Sequence, residues 1–353
     1  MRKNKRILWI DLARATAIFM VVVCHVSTAI YELSPSFILS VGLGSQITAF
    51  LLFTIGRLGV PLFLMISGYL LLDRKYDDDS CKKFWQDRWF HLLMCVLIWW
   101  FIYAIFLCIV NNKSLDIWEF VQALFFFKDI GVNSAWYMPM ILGLYILIPF
   151  VAILLKKIKL STLKFPTLIF AFFTFVFPLV STINNILGGR EMSLYFSLGF
   201  SGGAYGLLLI TGFLVKKGVF KIIKAPYLII CIIVNIILSV ILQIWSYHSD
   251  FPYNIWYDNM LIMLPAVCLF ELMSRIKTVK YYKAINFVAR LSFAIYLVHY
   301  LVIKLFRETI NSLAMPHTVR FVCLFVVVWI VSTIITYLIY KIPKVGKYIL
   351  YMK

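Results

Sequence analysis

Long apolar runs separated by short polar stretches recur from one end of this chain to the other. Each approaches the roughly 20 residues that an α-helix needs to cross a bilayer. The pattern predicts ten spans, at about 7–31, 47–72, 89–110, 136–155, 165–184, 200–216, 226–246, 258–274, 287–305 and 319–340. The sixth is short, and its opening "GFSGGAYG" predicts a broken or re-entrant start. No internal repeat, low-complexity segment or composition break divides the chain. The expectation is therefore an all-α, polytopic integral membrane helix bundle, one domain over residues 1–353. The longest connection, "NNKSLDIWEFVQALFFFKDIGVNSA", predicts an amphipathic lid on the outer face.

Composition closes off the soluble alternatives. The 353 residues are 63% hydrophobic and only 14% charged, too few polar groups to cover a soluble domain of this size. The first apolar run is too long for a cleavable signal peptide and lacks a small-residue cleavage site, so none is expected. A net charge of +19 would point a soluble protein towards nucleic acid. Here the basic residues alternate between loops. One side holds 25 of them and the other holds four, Lys113, Lys128, Arg190 and Arg307. That is the positive-inside pattern, and it assigns both termini to the cytoplasm with membrane lipid, not nucleic acid, as the partner. The seven scattered cysteines form no Cys-x-x-Cys or Cys/His spacing, so neither a metal site nor a disulfide framework is expected. The acidic run at 77–80 reads as a solvated turn.

Five Lys and Arg residues fall inside the spans: Arg14, Arg57, Arg290, Lys304 and Arg320. A charge at mid-membrane costs about 2.5–3.5 kcal/mol on insertion scales, which makes each a candidate for function unless it reaches water. Lys304 and Arg320 lie near the outer end and can snorkel. Arg14 and Arg57 lie deeper, and Arg290 sits at a lower level with Arg14. At about 1.5 Å per residue, His25 stands roughly 27 Å above the inner end of its span and Arg14 about 16 Å below it. Eleven residues is close to three turns, so the two share a face. Asp11, one turn before Arg14, is placed to pair with the guanidinium. Arg57 and His299 fall at roughly 20–22 Å, near the level of His25, with Ser67 near that of Arg14. Ser292, Tyr296 and His299 share one face of the ninth span. Trp136 and Tyr137 open the fourth at the outer face, where aromatic rings favour the interface or stack on a sugar. The expected feature is a pocket or channel lined by imidazole and guanidinium groups.

Four stretches carry a family resemblance. The first span has Asp-x-x-Arg, then ten residues, then His25; "RLGVPLFLMISGYLL", "WYMPMILGLYILIPFV" and "LSFAIYLVHYLVI" follow in order. Together they resemble the acyltransferase 3 family of integral membrane O-acyltransferases, over essentially the whole chain from Trp9. The resemblance implies transfer of an acetyl group from cytoplasmic acetyl-CoA to a hydroxyl of a cell-surface or lipid-linked glycan, in a bacterial cell membrane. It implies His25 as the catalytic histidine and Arg14 as its partner, with Asp11 holding Arg14. The candidate substrate contacts are Arg57, Ser67, Trp136, Tyr137, Tyr296 and His299. The family often has Arg-x-x-Arg entering the third span to receive the nucleotide end of CoA. Here the stretch is "RWFH", so Arg88 matches and His91 replaces the second arginine. Lys82, Lys83 and Arg290 complete the candidate donor contacts.

The chemistry agrees. A sugar hydroxyl is a weak nucleophile near neutral pH and needs a base within hydrogen-bond reach, a task suited to imidazole. A guanidinium in low dielectric stabilises the negative charge that develops on a thioester oxygen. General-base and covalent acyl-histidine routes both remain open. The alternative is a transporter or flippase for a lipid-linked sugar, which predicts paired carboxylates or a coupling-ion site in mid-membrane. Only Asp11, Asp258 and Glu271 lie in or near span cores, with no evident pairing, which favours the enzyme.

Overall fold

The computed structural model describes residues 7–112, 114–190, 192, 203–342 and 345–351. The basic cluster at 1–6, Lys113, Lys344, Lys353 and the 199–202 part of the expected re-entrant opening lie outside the described residues. Among those described, all regular structure is helical. In chain order these are α1 (Leu8–Tyr31), α2 (Pro35–Ile38), α3 (Leu43–Arg57), α4 (Gly59–Leu71) and α5 (Asp78–Phe84), then a π-helical turn (Trp85–Trp89). Next come α6 (Phe90–Asn111), α7 (Ile117–Leu124), α8 (Tyr137–Lys157) and α9 (Leu160–Ala171), then a second π turn (Phe172–Val176) and α10 (Phe177–Ile186). The chain closes with α11 (Gly203–Lys216), α12 (Ala225–Tyr247), α13 (Met260–Ser274), α14 (Tyr282–Asn311), α15 (His317–Lys341) and α16 (Val345–Ile349).

Eight of the helical units among the described residues are long and apolar enough to cross a membrane. The sixth and eighth expected spans correspond to the shorter apolar helices Gly203–Lys216 and Met260–Ser274. At about 1.5 Å per residue they reach only some 21–23 Å, less than the roughly 30 Å hydrocarbon thickness. Both are packed inside the bundle, α11 against α4 and α13 against α12, so protein shields their ends. The α4–α11 crossing is very close. A Cβ on Gly68 would overlap the Leu209 carbonyl, and one on Gly212 would overlap the Met65 carbonyl. This is the small-residue contact that brings membrane helices together.

α1 is the central helix, packed against α14, α3, α4 and α15, and Ala13, Ala17, Ile18, Val22 and Val26 are fully buried. The second span breaks between α3 and α4. Pro61 has no N–H for the carbonyl of Arg57, four residues earlier, which interrupts the ladder at that arginine. On the perimeter, Val322, Val326, Ile330, Ile334 and Leu338 of α15 form an exposed apolar stripe at four-residue spacing, suited to lipid.

Alternate loops converge on opposite ends. At one end Asp73 pairs with Lys217 at 2.6 Å and Lys216 at 3.3 Å. Burial alone would raise the Asp73 carboxyl, but these ammonium groups hold it below its ordinary value. Arg275 donates to the Phe220 carbonyl at 3.1 Å, and Tyr351 to the Arg88 carbonyl at 3.1 Å, at the same end. These are the loops rich in Lys and Arg. The far end joins Glu32 to Arg307 at 2.8 Å and the Leu33 carbonyl to the Tyr247 hydroxyl at 2.5 Å. The expected lid divides in two. α7 is capped by Asp116 and tied to α6 by the Trp100 indole, which donates to the Ala123 carbonyl at 3.0 Å, while Ile117 and Trp118 face outwards. Among the described residues of this connection, Asn133 and Ser134 line the spaces around His25.

Candidate functional site

Towards the basic end, Arg14 of α1 lines a cavity of about 670 Å³ together with Ser67, Arg74, Arg88, Tyr145 and Arg290. Four guanidinium groups surround one space, and no carboxylate is among its described lining. Guanidinium forks match the geometry of phosphate and carboxylate oxygens, so the cavity offers anion-binding chemistry. Local structure holds the arginines in place. Arg88 sits in the π turn, whose flanking indoles from Trp85 and Trp89 donate to the Ile146 and Leu142 carbonyls of α8 at 3.1 and 3.0 Å. Arg74 Nε donates to the Leu70 carbonyl at 2.9 Å. Ser67 Oγ lies 3.2 Å from the Tyr145 hydroxyl.

Asp11 approaches Arg14 at 3.9 Å, as its spacing predicts. Its second oxygen accepts from the Tyr282 hydroxyl at 2.8 Å and from Asn286 Nδ2 at 2.9 Å. The carboxylate therefore also joins α1 to α14, the helix that carries Arg290.

Beyond the cavity, Phe63, Tyr137 and Phe293 close in, and the space shrinks to about 20 Å³ between them and Val21, Val60 and Tyr296. The next space, about 10 Å³, touches His25 and is bounded also by Gly56, Trp136 and Tyr257. A Cβ on Gly56 would come within 2.6 Å of the Cys24 backbone, so glycine lets α3 lie directly against α1 beside His25. On its other side His25 lines a vestibule of about 400 Å³ with Thr28, Glu32, Asn133, Tyr300 and Lys304. Among the described residues, His25 is the single side chain common to the narrow space and the vestibule.

The His299 ring lies 5.1 Å from that of His25, centroid to centroid. Its Nδ1 is 2.5 Å from the Tyr296 carbonyl, which can only accept, so Nδ1 carries the proton. Nε2 is left as the acceptor, and it has no hydrogen-bond partner among the described residues. The Tyr296 hydroxyl donates to the Ser134 carbonyl, tying α14 to the segment after α7. At the vestibule rim, Glu32 and Leu33 have φ of 53° and 42°, the left-handed region that disfavours side chains with a Cβ. The Arg307–Glu32 pair and the Tyr247 bond to Leu33 hold this turn.

The structure thus brings together most of the expected residues. Arg14, Ser67, Arg88, Tyr137 and Arg290 meet at the large cavity. Tyr137, Tyr296, Trp136 and His25 bound the narrow spaces, with His299 packed behind. Arg57 lines none of these spaces. Its guanidinium lies over Trp256 at 4.1 Å, Phe53 at 4.5 Å and Tyr257 at 5.0 Å, so it reaches the His25 space through the Tyr257 ring. Lys82 and Lys83 are exposed on α5 and do not line the cavity. Sequence reasoning missed Arg74, Phe63, Phe293 and Tyr257. Arg74 lay seven residues after Ser67, a same-face spacing that could have flagged it. Tyr257 follows Trp256, a Trp-Tyr pair like that of Trp136 and Tyr137.

Among the described residues the helical bundle thus carries a cation-lined cavity at one end, a polar vestibule at the other and a histidine between them. The chain matches the acyltransferase domain family over residues 7–341 and belongs to that family of membrane acyltransferases. No curated protein and no solved structure matches it.

Proposed function

We propose that this protein moves an acetyl group from cytoplasmic acetyl-CoA to a hydroxyl of a cell-surface or lipid-linked glycan, across a bacterial cell membrane with both chain termini in the cytoplasm. One observation carries the reading: His25 borders both the passage from the arginine-lined cavity and the opposite vestibule. The second span is similar to "PLFFMISGYL" of the enterobacterial common antigen O-acetyltransferase, which supports a lipid-linked surface glycan as the acceptor. Arg14, Arg74, Arg88 and Arg290 bind the donor's phosphates, and the donor's thioester end reaches up past Tyr137 to His25. Arg14 lies about 16 Å along α1 from His25, so it holds the donor and does not touch the reacting carbonyl.

A glycan hydroxyl enters from the vestibule and gives its proton to a ring nitrogen of His25 as its oxygen attacks the thioester carbonyl carbon. Tyr257, with the Arg57 guanidinium over its ring, is the donor offered to the developing oxyanion. The C–S bond then breaks, the ester remains on the glycan, and the thiolate takes the proton back from the imidazolium. His299 packs its ring against that of His25 at 5.1 Å between centroids and so positions the base from behind.

Transport of the glycan itself is disfavoured. Asp11 approaches Arg14 and Glu271 pairs with Arg275, so these two acids of the span cores do not form the paired-carboxylate site that a coupled transporter uses. The test is to measure O-acetyl esters on surface glycans of a deletion strain complemented with the wild-type chain or with His25→Ala. Esters restored by the first alone support the reading; equal restoration by both, or by neither, sinks it.

A further inference from the structure

We propose that Val21 and Val60, with the collar of Phe63, Tyr137 and Phe293, form a gauge that admits a two-carbon acyl group to His25 and rejects longer ones. The inference rests on the reading of the arginine-lined cavity as the donor site, and it names the donor class that this site passes on.

The geometry is that of a funnel with a closed tip. The cavity of about 670 Å³ has room for a nucleotide-sized ligand, but the two spaces that follow measure about 20 and 10 Å³. A single water needs roughly 10–15 Å³ on this measure, so each space takes one group of about methyl size. Val21, Val60, Tyr137 and Tyr296 border both spaces, and they surround whatever stands next to His25 on the donor side. When the thioester carbonyl is at His25, the donor's arm fills the space of about 20 Å³ behind it, and the acyl tail has only the space of about 10 Å³ that these side chains enclose beside His25. A methyl fits. Each further methylene asks for as much room again.

The walls are held from behind. Val21 and Val60 are 3% and 5% exposed. α1 and α4 are already in contact where Gly59 lies against the Ala17 carbonyl and Val21, and cannot close further; a Cβ there would meet them at 2.6 and 2.8 Å. Tyr296 is pinned by its hydroxyl to the Ser134 carbonyl, and α14 is held again where the Tyr103 hydroxyl donates to the Leu297 carbonyl at 2.7 Å. Close-packed walls of this kind resist an extra methylene. One methylene too many in an apolar pocket changes the rate by about 10- to 200-fold, which sets the discrimination expected here.

The experiment supplies membranes carrying the protein with acetyl-, propionyl- or butyryl-CoA, uses the deletion strain's own surface glycan as acceptor, and identifies the ester by mass spectrometry. The wild type should transfer propionyl at least about tenfold more slowly than acetyl, and butyryl more slowly still. Val60→Ala and Val21→Ala each remove two methyl groups from the ring and should raise the propionyl-to-acetyl ratio by about tenfold. Propionyl transfer by the wild type within about twofold of acetyl overturns the gauge, whatever the variants do. An unchanged ratio in both variants overturns the assignment to these valines. No ester from any donor overturns this inference together with the donor reading itself.

Discussion

Replacing Arg88 by Ala separates the donor cavity from the general basic surface around it. Arg88 lines the cavity, and its backbone is fixed by Trp85, Trp89 and Tyr351, so the substitution removes a guanidinium from a preformed position without unseating the turn. A hydrogen bond to a charged partner contributes about 1.5–3 kcal/mol, which corresponds to roughly a 10- to 150-fold weaker Kd for CoA. Lys82 and Lys83 belong to the same basic loop but are exposed and outside the cavity. Their charges act on the donor only through screened solvent, over a Debye length of about 8 Å at physiological salt. The Lys82→Ala/Lys83→Ala variant should therefore stay within about threefold of wild type, and the difference should shrink as salt rises. Calorimetric titration of purified protein in detergent with CoA, at low and high salt, measures both. Equal losses in the two variants, or no loss in Arg88→Ala, would refute the assignment of the donor phosphates to this cavity.

Three further outcomes follow from contacts described above. His299→Asn keeps a donor for the Tyr296 carbonyl but loses the ring packed against His25, so turnover should fall by on the order of 10²-fold with donor affinity unchanged, as read from steady-state kinetics against CoA titration. Asp11→Asn loses the charge that Tyr282 and Asn286 share, and should give an intermediate loss of acetylation; Tyr282→Phe should reproduce part of it, and full activity in both variants would remove Asp11 from the site. Gly68→Ala forces a methyl into the Leu209 backbone and should lower the midpoint of thermal unfolding in detergent, whereas Gly143→Ala, which meets nothing within 4 Å, should leave it in place.

Apolar run lengths made the bundle legible, because spanning helices must be continuous and apolar whatever they pack against. Depth along a helix was legible for the same reason. Arg14 and His25 fall on opposite sides of the constriction because eleven residues of rise separate them, and that needs no tertiary information. What depended on return of the chain was hidden. Asp11 finds Tyr282 and Asn286 on α14, and Arg57 finds Trp256 and Tyr257 in a loop two hundred residues away. Tyr351 reaches the cavity only because Trp99 and Cys95 hold the Ile349 carbonyl at 2.7 and 3.1 Å. Lys82 and Lys83 illustrate the converse: a shared loop and charge sign put them beside Arg88 in sequence, while α5 turns them to solvent. The narrowing between the cavities arises from Phe63, Tyr137 and Phe293 on three different helices, and no local pattern announces it.

The central claim is that the acyl group crosses at His25, from a donor on the basic face to an acceptor on the other. Everted membrane vesicles test it most directly. Radiolabelled acetyl-CoA is supplied to the exposed cytoplasmic face, and alkali-labile label is measured on glycan inside the vesicle, for the wild type and for His25→Ala at matched protein levels. Label accumulating in the wild-type vesicles and not in the His25→Ala vesicles is the result predicted. Label reaching the enclosed glycan at a near wild-type rate in the His25→Ala vesicles would contradict it.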